Sequence, residues 1–129
     1  MTAPDHVIVA LDSFKGSLSA HHATAAVARG LRRHGLIAHE HPVADGGEGT
    51  VDALLTAGFT PVPVRTTDPL GRPTTARYAS RDGVAVVELA EASGLGRLTD
   101  VPPTPDRAAA SSTFGTGRVI AAALDATPQ

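Results

Sequence analysis

The sequence predicts an α/β fold: a parallel βαβα start followed by a mixed, hairpin-containing segment of a second α/β domain. Three observations carry this. A continuous run rich in β-branched residues, HVIVAL at 6–11, precedes a stretch of helical periodicity, which precedes a second strand-like run, LIAHEHPVA at 36–44. Each run ends in a glycine-bearing loop, DSFKGS or DGGEGT. From Phe59 onward the texture changes to alternating, proline-bearing segments. The expected boundaries are 1–60 for the N-terminal part of the first domain and 61–129 for the start of the second.

The elements follow in order. HVIVAL reads as a strand buried on both faces. From Ser19 to His34 the spacing is helical, with Ala20, Ala23, Val27 and Leu31 on one face. Arg29, Arg32 and Arg33 lie toward the C-terminal end, where positive charge suits the helix dipole, and Gly35 is the expected stop. A strand, helix and strand at this spacing make two parallel strands with a right-handed crossover. A short helix is expected from about Glu48 to Ala57, stopped by Gly58. FTPVPVRTT carries Pro61 and Pro63, which suits an edge strand. DPLGRP is a turn cluster, and TTARYAS, the RDG turn and VAVVELA read as a hairpin. EASGLGRLTDVPPTPDR is expected to be a loop, and DRAAASS a helix start or loop. STFGTG then leads into an apolar helix, RVIAAALDA.

Composition narrows the function classes. The formal net charge is −2, with acids and bases mixed and no basic stripe, so nucleic acid is not an expected partner. There is no cysteine, hence no disulfide framework and no thiolate chemistry. The N-terminus lacks the basic flank of a signal peptide, and no apolar run approaches membrane-spanning length. A cytoplasmic location and no membrane partner are expected. Aromatics are 3% of residues and there is no tryptophan, so the core is built of small side chains that each bury little area. Parallel strands normally have both faces covered. Two of them cannot make such a sheet alone, so the chain reads as the opening of a larger α/β protein, truncated and marginally stable by itself.

The loops carry the candidate chemistry. In an open parallel sheet, loops at the C-terminal strand ends share one edge, where ligands bind. DSFKGS and DGGEGT both sit there. Each starts with an aspartate, Asp12 or Asp45, and leads toward a helix N-terminus, whose free N–H groups suit an anion. Gly16, Gly46, Gly47 and Gly49 allow close backbone approach, and Ser13, Ser17 and Thr50 offer hydroxyls. Asp12, Asp45 or Glu48 can hold Mg²⁺ or orient a substrate hydroxyl. Lys15, the only lysine, can neutralise a transferring phosphoryl group as a point charge. The plainer alternative is a capping aspartate and a solvated lysine. Gly115, Thr116 and Gly117 form a third candidate anion loop, which a simple turn explains equally well. His39 and His41 share a strand face, but no further spaced ligand supports zinc. Glu88 and Glu91 read more simply as a solvated strand end than as cleft residues. No Walker-type phosphate loop and no GxGxxG is present.

HVIVALDSFKGSLSA, PVADGGEGTVDAL, DPLGRP, ASGL and TFGTG, in this order, resemble the N-terminal part of the bacterial glycerate kinases of type 1. The resemblance covers nearly the whole chain, and the first two motifs are its most specific part. It implies a Rossmann-like domain paired with a smaller mixed domain, and ATP-dependent, Mg²⁺-assisted phosphorylation of D-glycerate to 2-phosphoglycerate. It carries over Asp12, Lys15 and Ser17 from the first motif and Asp45, Glu48 and Thr50 from the second. Lys15 and Ser17 are then expected to contact phosphate or carboxylate, and Asp45 and Glu48 a metal or the substrate hydroxyl. The chain departs from the family pattern at Leu11, where proline is usual, and at Arg118, where an acid is usual. It also stops before a further glycine-rich loop that family members carry, so it is expected to be inactive alone. A non-catalytic anion- or nucleotide-binding α/β module is the alternative.

Overall fold

The computed structural model describes residues 5–14 and 16–126. By internal contacts the chain divides into Met1–Ala53 and Leu54–Gln129.

In the first unit β1 (His6–Val9) and β2 (Ile37–Glu40) pair in parallel, with His6 opposite Ile37 and Val9 opposite Glu40. The crossover between them is α1 (Ala20–Arg33). Ser19 starts this helix, its Oγ accepting from the His22 N–H at 3.3 Å. Gly35, at φ 78°, follows its end. Arg32 fastens that end to β2 by donating to Glu40 Oε1 at 2.7 Å and to the Ala38 carbonyl at 2.8 Å. Val9, Ala28 and Ala38 form the buried centre, with Val7, Leu11 and Leu31 packed around it.

Two expectations need correction here. The helix buries Ala23, Thr24 and Ala28, while Val27 is 44% exposed. Small residues bring the helix close to the strands, and that rolls the bulkier Val27 off the contact. Nor is HVIVAL buried on both faces. The alternating side chains of Val7 and Val9 meet α1, while Ile8, pointing the other way, is 71% exposed. The chain then forms α2 (Thr50–Thr56), with Gly58 at φ 92° just beyond it.

The second unit is built on an antiparallel sheet in the order β3 (Thr60–Thr67), β4 (Pro73–Arg81), β5 (Val84–Val86). β3 is an edge strand, as its prolines require. Asp82 at φ 50° and Gly83 at φ 77° make the two-residue hairpin turn, whose left-handed residues match strand twist. The segment expected to be a loop is instead α3 (Leu89–Ser93), a 3₁₀ turn (Leu95–Leu98) and α4 (Pro105–Ala110). α4 has a legible start: Thr104 Oγ1 accepts from the Arg107 N–H, with Pro105 in the first turn. The abundance of glycine and proline concealed these short helices, because proline at a first turn starts a helix as readily as it ends one.

The final helix, α5 (Phe114–Ala126), begins earlier than expected. Gly115, Thr116 and Gly117 are its first turn, not a loop before it, and the Gly117 N–H donates to the Thr113 carbonyl. A Cβ on Gly115 would run into the Thr67 carbonyl, and Thr66 Oγ1 donates to the Gly115 carbonyl at 2.6 Å. The glycine is there to let α5 press against β3. Ala76, Tyr78, Ala92, Val119 and Ala123 form the core of this unit. Among the described residues no helix is long and apolar enough to cross a membrane.

Gly115→Ala is expected to lower the stability of this unit by about 1–3 kcal/mol through overpacking. Gly117→Ala meets nothing within 4 Å and is expected to stabilise by up to about 1 kcal/mol. Urea unfolding of the two variants would separate these opposite signs.

Candidate functional site

Hydrogen bonding between the parallel strands runs on past their formal ends. The His41 N–H donates to the Val9 carbonyl and the Val43 N–H to the Leu11 carbonyl. The chain is thus still side by side when it enters the two loops, and both leave the same edge of the pair, as the sequence led one to expect.

After β1 the loop closes on itself. Phe14 and Leu18 exchange backbone bonds of 2.8 and 3.0 Å, and the Ser17 N–H and Oγ both donate to the Phe14 carbonyl. Gly16, at φ 74°, permits this turn. Asp12 Oδ1 accepts from the Ser13 N–H at 2.6 Å, and Asp12 is exposed. Lys15 lies outside the described residues. DSFKGS therefore does not run straight into a helix; a closed turn and the Ser19 cap intervene.

After β2 the turn chemistry is different. Asp45 Oδ1 accepts from the Gly47 N–H at 2.9 Å, closing an Asx turn. A Cβ on Gly47 would lie 2.9 Å from that same oxygen. Gly46 and Gly49, at φ 94° and 93°, complete the left-handed bends. Thr50 donates through both N and Oγ1 to the Gly47 carbonyl, and α2 begins there. Asp45 and Glu48 are exposed, and Thr50 is half-buried.

The edge thus offers the carboxylates of Asp12, Asp45 and Glu48 beside tight backbone turns. Among the described residues no group of three or more His, Asp or Glu side chains is arranged to hold a metal. Mg²⁺ is commonly bound through one or two protein carboxylates, with waters and substrate phosphates supplying the rest. Asp45 keeps a second oxygen beyond the one bound to Gly47, and Glu48 is exposed, so each could supply one such oxygen. His39 pairs with His6 across the strands, Nε2 to Nδ1 at 2.7 Å with rings stacked at 5.0 Å.

A charge cluster of the second unit is centred on DPLGRP. The buried Asp68 accepts from the Leu70 and Arg72 N–H groups at 2.9 Å each and from Arg72 Nε at 2.5 Å. Arg72 reaches on to Asp100 at 2.6 Å and to the Arg97 carbonyl at 3.1 Å. Burial pushes the Asp68 carboxyl up, but the bonds from Arg72 and Leu70 more than reverse this and hold it below the ordinary aspartate value. The Arg72 hydrogen bond likewise holds Asp100 down, while the two carboxylates, Asp100 foremost, raise Arg72. Glu88 and Glu91 are not a solvated strand end either. Glu88 is 4% exposed, and Glu91 pairs with Arg77 at 2.9 Å and Arg97 at 3.5 Å, because the chain turns into α3 there and lays it on β4. The aspartate and arginine four apart in a turn cluster were the available signal for the Asp68 network.

The model of the glycerate kinase family matches residues 7–129. The chain belongs to the glycerate kinase family. It is 44% identical over 125 residues to a glycerate kinase of Bacillus subtilis (strain 168), covering 93% of this chain and 32% of that protein. It is 39% identical over 126 residues to a glycerate 2-kinase of Escherichia coli (strain K12), covering 92% and 32%. A crystal structure from Salmonella typhimurium LT2, assigned as glycerate kinase 2, superposes with a TM-score of 0.65 at 34% identity, over 94% of this chain and 33% of that one. The chain spans about a third of the length of these glycerate kinase relatives.

Asp68 and Asp100 both titrate lower folded than unfolded. Their contribution to stability is therefore full above the ordinary value of 3.8 and is lost as pH falls through the lowered values. Asp68→Asn should melt lower than the parent near neutral pH. Its melting temperature should also fall less between about pH 6 and pH 3, as read by thermal denaturation across that range.

Proposed function

We propose that the chain is the N-terminal part of a glycerate kinase that phosphorylates D-glycerate with ATP to give 2-phosphoglycerate. One observation carries the reading: loops 12–17 and 45–50 leave neighbouring parallel strands at the same edge, and they are the segments by which the chain resembles the kinases. The B. subtilis and E. coli relatives named above support it.

In this reading the 2-hydroxyl oxygen of glycerate attacks the γ-phosphorus. The new O–P bond forms as the bond to the bridging oxygen of ADP breaks, and the hydroxyl proton passes to a carboxylate, Asp45 or Asp12. The turn from Asp45 Oδ1 to the Gly47 N–H holds that carboxylate in place before substrate arrives. Lys15 would neutralise charge on the phosphoryl oxygens as a point charge, and Ser17 would assist in binding phosphate or carboxylate. Mg²⁺ would be held by Glu48, joined by Asp45 where Asp12 takes the proton, and would neutralise phosphate charge when bound.

The test fuses this chain to the remaining two-thirds of the B. subtilis relative and follows D-glycerate-dependent ATP consumption. Turnover is expected from the fusion and none from the chain alone. In the fusion, Lys15→Met and Asp45→Asn are each expected to lower kcat by about 10²–10³-fold. A folded fusion that binds ATP without turnover would favour the non-catalytic module, and unchanged turnover in Lys15→Met would remove the lysine from the mechanism.

A further inference from the structure

We infer that His6 and His39 form a surface site for one divalent transition-metal ion of the kind that imidazole binds, Cu²⁺ first and then Ni²⁺ or Zn²⁺. The site is independent of the kinase reading, whose Mg²⁺ takes oxygen ligands.

The register of the parallel pair builds it. His6 lies opposite Ile37 and Ile8 opposite His39, so these four side chains share the sheet face turned away from α1. The two histidines stand 33 positions apart in the chain, so no motif spacing announces them. On the sheet they are diagonal neighbours, within reach of each other's rings. The rings stack 16° from parallel with centroids 5.0 Å apart, and His6 Nδ1 faces His39 Nε2 at 2.7 Å. Both residues are exposed.

Two imidazoles that converge through one nitrogen each, on strands tied by a backbone ladder, are half of a tetrahedral ligand set. With Zn–N bonds of about 2.0–2.1 Å, that geometry sets two nitrogens about 3.3 Å apart. The facing nitrogens need only part by about 0.6 Å, a small rotation for exposed side chains. As neutral rings, one donates its N–H to the lone pair of the other. The ion takes the place of that hydrogen. Both facing nitrogens then supply lone pairs, and the displaced proton moves to the other nitrogen of its own ring, so no proton is lost from the pair.

The surroundings set the preference. Glu40, next to His39 in sequence, is bonded to Arg32 of α1. Among the described residues no group of three or more His, Asp or Glu is arranged around a metal, so water completes the shell. Two nitrogens without a carboxylate favour Cu²⁺, Ni²⁺ and Zn²⁺ over Mg²⁺ and Ca²⁺, and Cu²⁺ stands highest in the affinity order. A bound ion would link β1 to β2 by side chains as well as by backbone.

The test titrates the chain with CuCl₂ and ZnCl₂ by calorimetry and records the electron paramagnetic resonance spectrum of the Cu²⁺ form. One tight ion per chain is expected, with two imidazole nitrogens in the Cu²⁺ plane, and excess MgCl₂ should not displace it. His6→Ala and His39→Ala should each weaken binding by more than the ~10-fold that loss of a mere supporting partner costs. His6→Gln, which keeps a hydrogen-bonding side chain, should lose the metal as His6→Ala does, and the circular dichroism of all three should match the parent. His21→Asn removes one ring of the edge-on His21–His22 contact, at 5.7 Å on α1, and should bind as the parent does. Parent-like affinity in His6→Gln or His39→Ala would overturn the inference, as would an equal loss in His21→Asn or a Cu²⁺ spectrum without nitrogen ligands.

Discussion

Parallel pairing of β1 with β2 is the constraint on which the first unit depends. Two adjacent strands can run the same way only if the chain returns across the sheet, and α1 is that return. The return places the ends of both strands at one edge, so segments more than thirty residues apart in sequence leave together. It also explains the small residues on α1. Ala23 and Ala28 let the helix sit low on the strands, and Arg32 then reaches the Ala38 carbonyl and Glu40. The interior is won by close approach, since side chains this small bury little area each.

The second unit solves a different problem with the same means. Its sheet is antiparallel, so no crossover is needed, and its helices come afterwards in sequence. Gly115 sets the distance between α5 and β3, much as the alanines do in the first unit. The link between β3 and β4 is held by charge. Asp68 is buried and caps its own turn while gripping Arg72, which in turn gathers Asp100 and the end of the 3₁₀ turn. A buried carboxylate costs a great deal unless paired and hydrogen-bonded, and this one is both.

Much of this was legible in the sequence, for identifiable reasons. The run at 6–11, the Ser19 start and the Gly35 stop are strong local signals; β1 covers the first four residues of that run, and α1 lies between the other two. The Asp-Gly turn and the two prolines of β3 are equally direct. What was not legible depends on packing between distant segments. Ile8 is exposed because of what lies against the sheet, which HVIVAL itself does not encode. Gly115 reads as a loop glycine until Thr67 is known to be its neighbour. At the candidate site, the strand-helix-strand spacing, which implies parallel pairing, made the shared edge predictable. The bonds that occupy Ser17 and Thr50 come from loop closures that motif spacing does not reveal.

The bond between Asp45 and Gly47 has a consequence for selection at position 47. A side chain there would crowd the carboxylate oxygen that the turn uses, so glycine at this position lets the Asp45 turn close undisturbed. A carboxylate held by such a turn has its rotamer chosen during folding, so the ordering entropy that a freely rotating aspartate would lose in any later contact is lost in advance.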